Sequence, residues 1–193
     1  MANIYLSSTL LWNGSMEEIF DMVFQSGLDG IELWSQQFFY RKFDIDEFEK
    51  LAALYPLKNC IHSQSWDLNI SSVNDGIRKQ SVTEVKKSVE LAYQLGLDEV
   101  TVHPGHCTIS GIGVSYGAYL KESLREILEY AQKWKIDVSL EIMEKIPREF
   151  VTTMDAMKEV CGDMFDQFVY TLDVAHCDSE LHPVCLYPGC SSL

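Results

Sequence analysis

No stretch of the 193-residue chain approaches the ~20 consecutive apolar residues that a membrane-spanning helix needs. The opening MANIYLSSTL has no basic segment ahead of a long apolar run. Neither a secretory leader nor a membrane anchor is therefore expected, and a cytoplasmic location is. Basic residues are scarce, with 15 Lys and Arg against 29 Asp and Glu and a formal net charge of −14. Such a chain repels a phosphate backbone at long range and has few cations to exchange for its counterions, so nucleic acid is a disfavoured partner. None of the six cysteines (Cys60, Cys107, Cys161, Cys177, Cys185, Cys190) belongs to a C-x-x-C pair. A chain of this size needs no disulfide staples, and the six read as reduced thiols. Also missing is a glycine-rich phosphate turn: the first candidate strand runs into SSTLLWNGS, without G-x-G-x-x-G, which argues against a dinucleotide-binding sheet.

What is present is an alternation of two patterns within a composition, 47% hydrophobic and 23% charged, ordinary for one globular domain. Short apolar, β-branched runs predict strands over Asn3 to Ser8, Gly30 to Trp34, Lys58 to Ser63, Glu99 to His103, Asp137 to Met143 and Phe168 to Asp173. Between them, 3.6-residue periodicity predicts helices over Ser15 to Gln25, Asp46 to Leu54, Asp75 to Leu95, Ala118 to Lys135 and Thr152 to Cys161. The first helix opens on a capping-box pattern, Ser15 then Glu18, and stops at Gly27; Gly96 and Gly162 are similar stops. Strands apolar almost throughout, each followed by a helix, call for a parallel sheet covered by helices, hence a doubly wound sheet or a barrel.

The placement of polar residues favours the barrel. Glu32, His62, His103, Glu141, Asp173 and His176 each fall at or just beyond the end of a predicted strand. Repetition around the sheet is what a (β/α)8 barrel needs, because every strand end contributes to one central crater. Glu141 and Asp173, on consecutive strands, converge on the mouth and suit a hard divalent cation. Oxygen ligands favour Mg or Mn, and added imidazole shifts the preference toward Mn, Co, Fe or Zn. The bland reading of a single strand-end acid is a residue capped by a backbone amide or paired with a lysine; two in succession weaken it. His176, three residues past Asp173, approaches the same pocket, to hold a substrate hydroxyl or a second metal. His103 and His62 stand at the rim, and Glu32 reads as a structural or substrate-orienting group. Trp12, Trp34 and Trp66 fall where they would wall a sugar-sized pocket, although core packing is tryptophan's commoner role. His106 reads as a solvated loop residue.

Only six strands are counted where a closed barrel has eight. The expected fold is therefore an α/β (β/α)8 barrel truncated after its sixth strand, with residues 1–178 as an incomplete barrel domain and 179–193, which include His182, as an irregular tail that reads as aberrant. Open sheet edges make a homo-oligomer compatible with the sequence.

The segments GLDGIELW, CIHSQSWDLN, SVELAYQLGLDEVTVHPGH, SLEIM and YTLDVAHCD resemble, in order, the xylose-isomerase-like superfamily, which holds sugar phosphate isomerases/epimerases and endonuclease IV enzymes. In the epimerase branch the resemblance implies one divalent metal held by Glu141 and Asp173, with further ligands from a seventh and an eighth strand. It also implies His176 as a substrate-binding residue and Glu141 as one of two glutamates that move protons. The implied activity is isomerisation or epimerisation of a sugar or sugar phosphate. In the endonuclease branch the resemblance implies zinc ions held by His62, His103, Glu141, Asp173 and His176, and cleavage of abasic DNA. A third reading is an inactive fragment of such a barrel.

Overall fold

The computed structural model describes residues 3–109, 115–176 and 190–192. Its strands are β1 (Tyr5–Ser7), β2 (Gly30–Trp34), β3 (Lys58–His62), β4 (Glu99–Val102), β5 (Asp137–Ile142), β6 (Val169–Leu172) and β7 (Cys190–Ser192). They form one parallel sheet in sequential order β1 to β7. The helices are α1 (Met16–Ser26), α2 (Ser35–Arg41), α3 (Ile45–Leu54), α4 (Asp75–Gln94), α5 (Tyr116–Trp134) and α6 (Met154–Cys161). An unbroken βα order with every neighbour parallel is the layout of a (β/α)8 barrel wall, here open, with β1 and β7 as its edges.

The six strands expected from the sequence are present, shortened by one or two residues at some ends. Two elements were not anticipated. The tail, read as irregular, contributes β7, which pairs with β6 from Tyr170↔Cys190 to Leu172↔Ser192. Three small residues beside prolines and a glycine carry no alternation. The backbone edge of β6 supplies what their side chains do not. The remainder of the tail, including His182, lies outside the described residues. Helix α2 also escaped notice, because seven residues are too few to show a period. It ends at Lys42, whose φ of 56° is left-handed. Its buried Gln37 donates hydrogen bonds from Nε2 to the carbonyls of Leu11 (2.9 Å) and Trp12 (3.2 Å), tying the β1–α1 connection to the barrel mouth.

Helix α1 starts as expected: the Ser15 amide donates to Glu18 Oε2 (2.7 Å), and the Glu18 amide donates to Ser15 Oγ (3.2 Å). Its buried face, Met16, Ile19, Phe20 and Val23, joins the core. Alternation along each strand splits the sheet into two chemistries. Ile31, Leu33, Ile61, Val100, Val102, Val138 and Leu140 are buried in the apolar core cluster shared with the helices. The residues between them, Glu32, His62, Thr101, Ser139, Glu141 and Thr171, are buried too, but polar. Within that set Ser139 Oγ lies 2.6 Å from Thr171 Oγ1.

Candidate metal centre

Glu141, next to the last residue of β5 and only 2% exposed, is the hub of a cluster built from four strand ends. Its Oε2 lies 2.8 Å from His103 Nε2 and 3.3 Å from His62 Nε2. Its Oε1 lies 3.1 Å from His176 Nδ1. The two first-named histidines meet each other, Nε2 to Nε2, at 3.0 Å.

Local backbone geometry aims each of these rings. His62 Nδ1 lies 2.7 Å from the Ser63 carbonyl, which only accepts, so that nitrogen carries a proton, and Nε2 is the atom turned toward Glu141. The Trp34 ring lies flat against the His62 ring, with centroids 3.8 Å apart and planes 2° apart. His103 follows β4 directly, and Gly105 lets the chain turn away behind it. Gly105 has φ +77°, and a Cβ there would come within 2.5 Å of Asn69 Oδ1 and Ser71 Oγ. Asn69 fastens that turn, donating from Nδ2 to the His106 carbonyl (2.8 Å) and accepting from the His106 amide (3.1 Å). The D-x-x-H spacing of Asp173 and His176 is a 3-10 turn: the Ala175 amide donates to Asp173 Oδ1 (2.8 Å), and the His176 amide to the Asp173 carbonyl (3.0 Å). That turn leaves His176 Nε2 3.6 Å from Asp173 Oδ2 and 3.2 Å from Glu144 Oε2.

Two groups with metal-ligand spacing result, His62–His103–Glu141 and Glu141–Asp173–His176, joined through Glu141. The donor set fits a divalent cation, because imidazole nitrogens and carboxylate oxygens converge at distances where only protons or a cation prevent mutual repulsion. Mixed imidazole and carboxylate suits Mn, Co, Fe or Zn better than Mg. The electrostatics match. Burial raises the Glu141 carboxyl, but the charge of His103 and hydrogen bonds from His103, His176 and His62 outweigh it and hold the group well below the usual carboxylate range. Burial opposes charge on His176, yet the hydrogen bond and charge of Glu141, helped by Asp173, push it up to about 9. His103 is raised on balance as well, burial opposing and Glu141 prevailing.

Five of the residues expected at the mouth, His62, His103, Glu141, Asp173 and His176, are thus brought together. Glu32 is not among them. It is buried on the same sheet face, and burial, reinforced by the charge of Glu141, pushes its carboxyl up to about 7. Beside the cluster opens a cavity of 430 Å³, lined in part by Ser63, Gln64, Trp66, His103, Glu144 and His176. Trp66 lines it directly, whereas Trp12 is not among the lining residues and packs tilted against Trp66, with ring centroids 4.7 Å apart. His106, expected in a solvated loop, is half-buried and lines the cavity instead, because Asn69 draws its backbone inward. Glu144, Arg148 and Glu149, all on the β5–α6 loop, also line it and were missed. Their only sequence signal is a charged run, MEKIPRE, after a strand whose end bears a candidate ligand.

The model for the xylose isomerase-like TIM barrel matches residues 20–182. The chain belongs to that family. Among curated family relatives, the uncharacterized protein MJ1188 of Methanocaldococcus jannaschii is 28% identical over 182 residues, covering 91% of this chain and 67% of that one. MJ1311 of the same organism is 27% identical over 134 residues, covering 67% of this chain and 45% of that one. The chain thus spans between about half and two thirds of the length of these relatives. Solved structures with the same fold include a D-tagatose 3-epimerase-like protein (TM-score 0.77, 23% identity, 90% of this chain and 66% of that one). An L-ribulose 3-epimerase aligns with TM-score 0.74 at 20% identity, over 94% of this chain and 63% of that one. Sugars accompany others, as in a D-psicose 3-epimerase in the presence of D-fructose. Among the described residues, no helix is long and apolar enough to cross a membrane.

Proposed function

We propose that this chain carries the metal-binding half of a sugar or sugar-phosphate isomerase/epimerase. The observation that carries the reading is the convergence of three histidines on the two oxygens of one buried glutamate, beside a cavity of 430 Å³ faced by Trp66. Glu141 and Asp173 are the ligands first in line, with His62, His103 and His176 completing the donor set. A divalent cation there supplies Lewis acidity toward carbonyl and hydroxyl oxygens. Glu141, kept ionised by its histidines, takes the proton from the carbon beside the carbonyl, and a proton delivered to the former carbonyl carbon gives the isomer, or to the opposite face of the first carbon the epimer. His176 and Trp66 orient the sugar, and Trp12 and Trp34 hold Trp66 and His62 in place. Glu144, on the cavity wall, is a second carboxylate within reach of the same substrate.

The test is exchange. With Mn, Co or Zn added, the chain is incubated with ketohexoses in deuterium oxide, and deuterium uptake beside the carbonyl is followed by NMR. Uptake that vanishes in Glu141→Gln supports the proposal. One observation favours a second reading: His62 Nε2 and His103 Nε2 share Glu141 Oε2, an arrangement that also suits the zinc cluster of an endonuclease IV-like phosphodiesterase. The net charge of −14 weighs against it. Absent exchange, with cleavage of an abasic-site oligonucleotide, would reverse the order of the two.

A further inference from the structure

The charged groups of the cavity wall bear on what kind of sugar it takes. Apart from His103 and His176, which face Glu141, and His106, the described wall carries three carboxyl groups, Asp67, Glu144 and Glu149, and one arginine, Arg148. That arginine is engaged: its Nε donates to Glu149 Oε1 at 3.1 Å, and the Glu149 side chain is only 3% exposed while that of Arg148 is 62% exposed. The pair is fixed by the loop around it, since the Cys107 amide donates to the Arg148 carbonyl (2.8 Å) and the Glu149 amide to the Ile146 carbonyl (3.0 Å).

We infer that this cavity selects an uncharged, unphosphorylated sugar, and that Glu149 sets the selection by neutralising Arg148, the guanidinium on the described cavity wall. The inference rests on the carbohydrate reading above and narrows it. A phosphate dianion entering the wall meets a surplus of carboxylates and a cation already paired, and a mismatch of that sign costs affinity and slows encounter. Sugar hydroxyls meet the carboxylates of Asp67 and Glu144 as hydrogen-bond acceptors, while Glu149, only 3% exposed, stays on Arg148.

The experiment titrates the Mn-supplemented chain with D-fructose, D-tagatose and D-fructose 6-phosphate, with inorganic phosphate as a further probe, following tryptophan fluorescence. The expected result is that a free ketose binds about tenfold or more tightly than the 6-phosphate, and that inorganic phosphate does not compete. In Glu149→Gln the charge of Arg148 is no longer offset, so affinity for the 6-phosphate rises about tenfold while that for the free sugar changes by less than about twofold. Equal or tighter binding of the 6-phosphate by the unsubstituted chain overturns the inference and leaves the carbohydrate reading standing. A folded Glu149→Gln protein with an unchanged ratio overturns the role of Glu149. Should metal bind but neither form of sugar, the carbohydrate reading falls and this one with it. The ratio in the unsubstituted chain needs no variant, so misfolding of Glu149→Gln does not spoil the test.

Discussion

The two faces of the sheet differ in what their burial accomplishes. Leu140 and Glu141 are adjacent on β5 and both almost wholly buried, yet one enters the apolar cluster under the helices and the other gathers three histidines. A strand's two-residue period thus lets stability and ligand chemistry be written into alternate positions of one segment. Burial on the helix side is favourable in itself. On the barrel side it is offset where polar groups pair, as Glu141 does with its histidines and Ser139 with Thr171, while Glu32 Oε1 is buried without a hydrogen-bond partner among the described residues.

The comparison sharpens most at that pair. Glu141→Gln removes the shared carboxylate and should abolish stoichiometric metal binding, read by elemental analysis, while the chain still melts cooperatively. Leu140→Ala should do the reverse, lowering stability by about 2 to 5 kcal/mol in denaturant titration while the folded fraction still binds metal. Equal losses of both properties in both variants would mean the faces are not separable. Gly105→Ala, a change in neither face, should cost about 1 to 3 kcal/mol through its left-handed φ and the crowding of Asn69 and Ser71, and should weaken metal binding through His103. Metal affinity unchanged at that cost would detach the HPG turn from the site.

Glu32 tests the polar face without touching the cluster. Its folded-state carboxyl is raised to about 7, so the folded state holds a proton that the unfolded chain gives up near its ordinary value. Stability from this group therefore falls as pH rises from about 4.5 to about 7 and is level above. Glu32→Gln should gain on the unsubstituted chain across that window, as measured by melting temperatures of metal-free protein at pH 5 and pH 8. A constant difference would contradict the assignment. The smallest effect is expected from Ser15→Ala, which removes half of the α1 capping box: about 1 kcal/mol in stability and none in metal affinity.

Much of this division was legible in the chain itself. Strand ends bearing Glu32, His62, His103, Glu141 and Asp173 repeat along the sequence, and the alternation that buries Ile31 and Leu33 also points Glu32 the other way. The D-x-x-H pair is readable because a single 3-10 turn spans it. Less legible were contributions that depend on long-range contact. Stacking of Trp34 on His62 joins different strands, and β7 forms through backbone pairing that three small residues do not announce. The Arg148–Glu149 pair enters the cavity because its loop is bonded to Cys107, forty-one positions earlier than Arg148, and neighbouring residues give no sign of that.

The central claim is that Glu141 organises a metal centre, and anomalous X-ray scattering from crystals of the Mn- or Zn-loaded chain tests it most directly. The account predicts an anomalous peak within bonding distance of Glu141, flanked by His62 and His103, by Asp173 and His176, or by both sets. Peaks confined to other sites, with the three histidines still at hydrogen-bonding distance from Glu141, would contradict it.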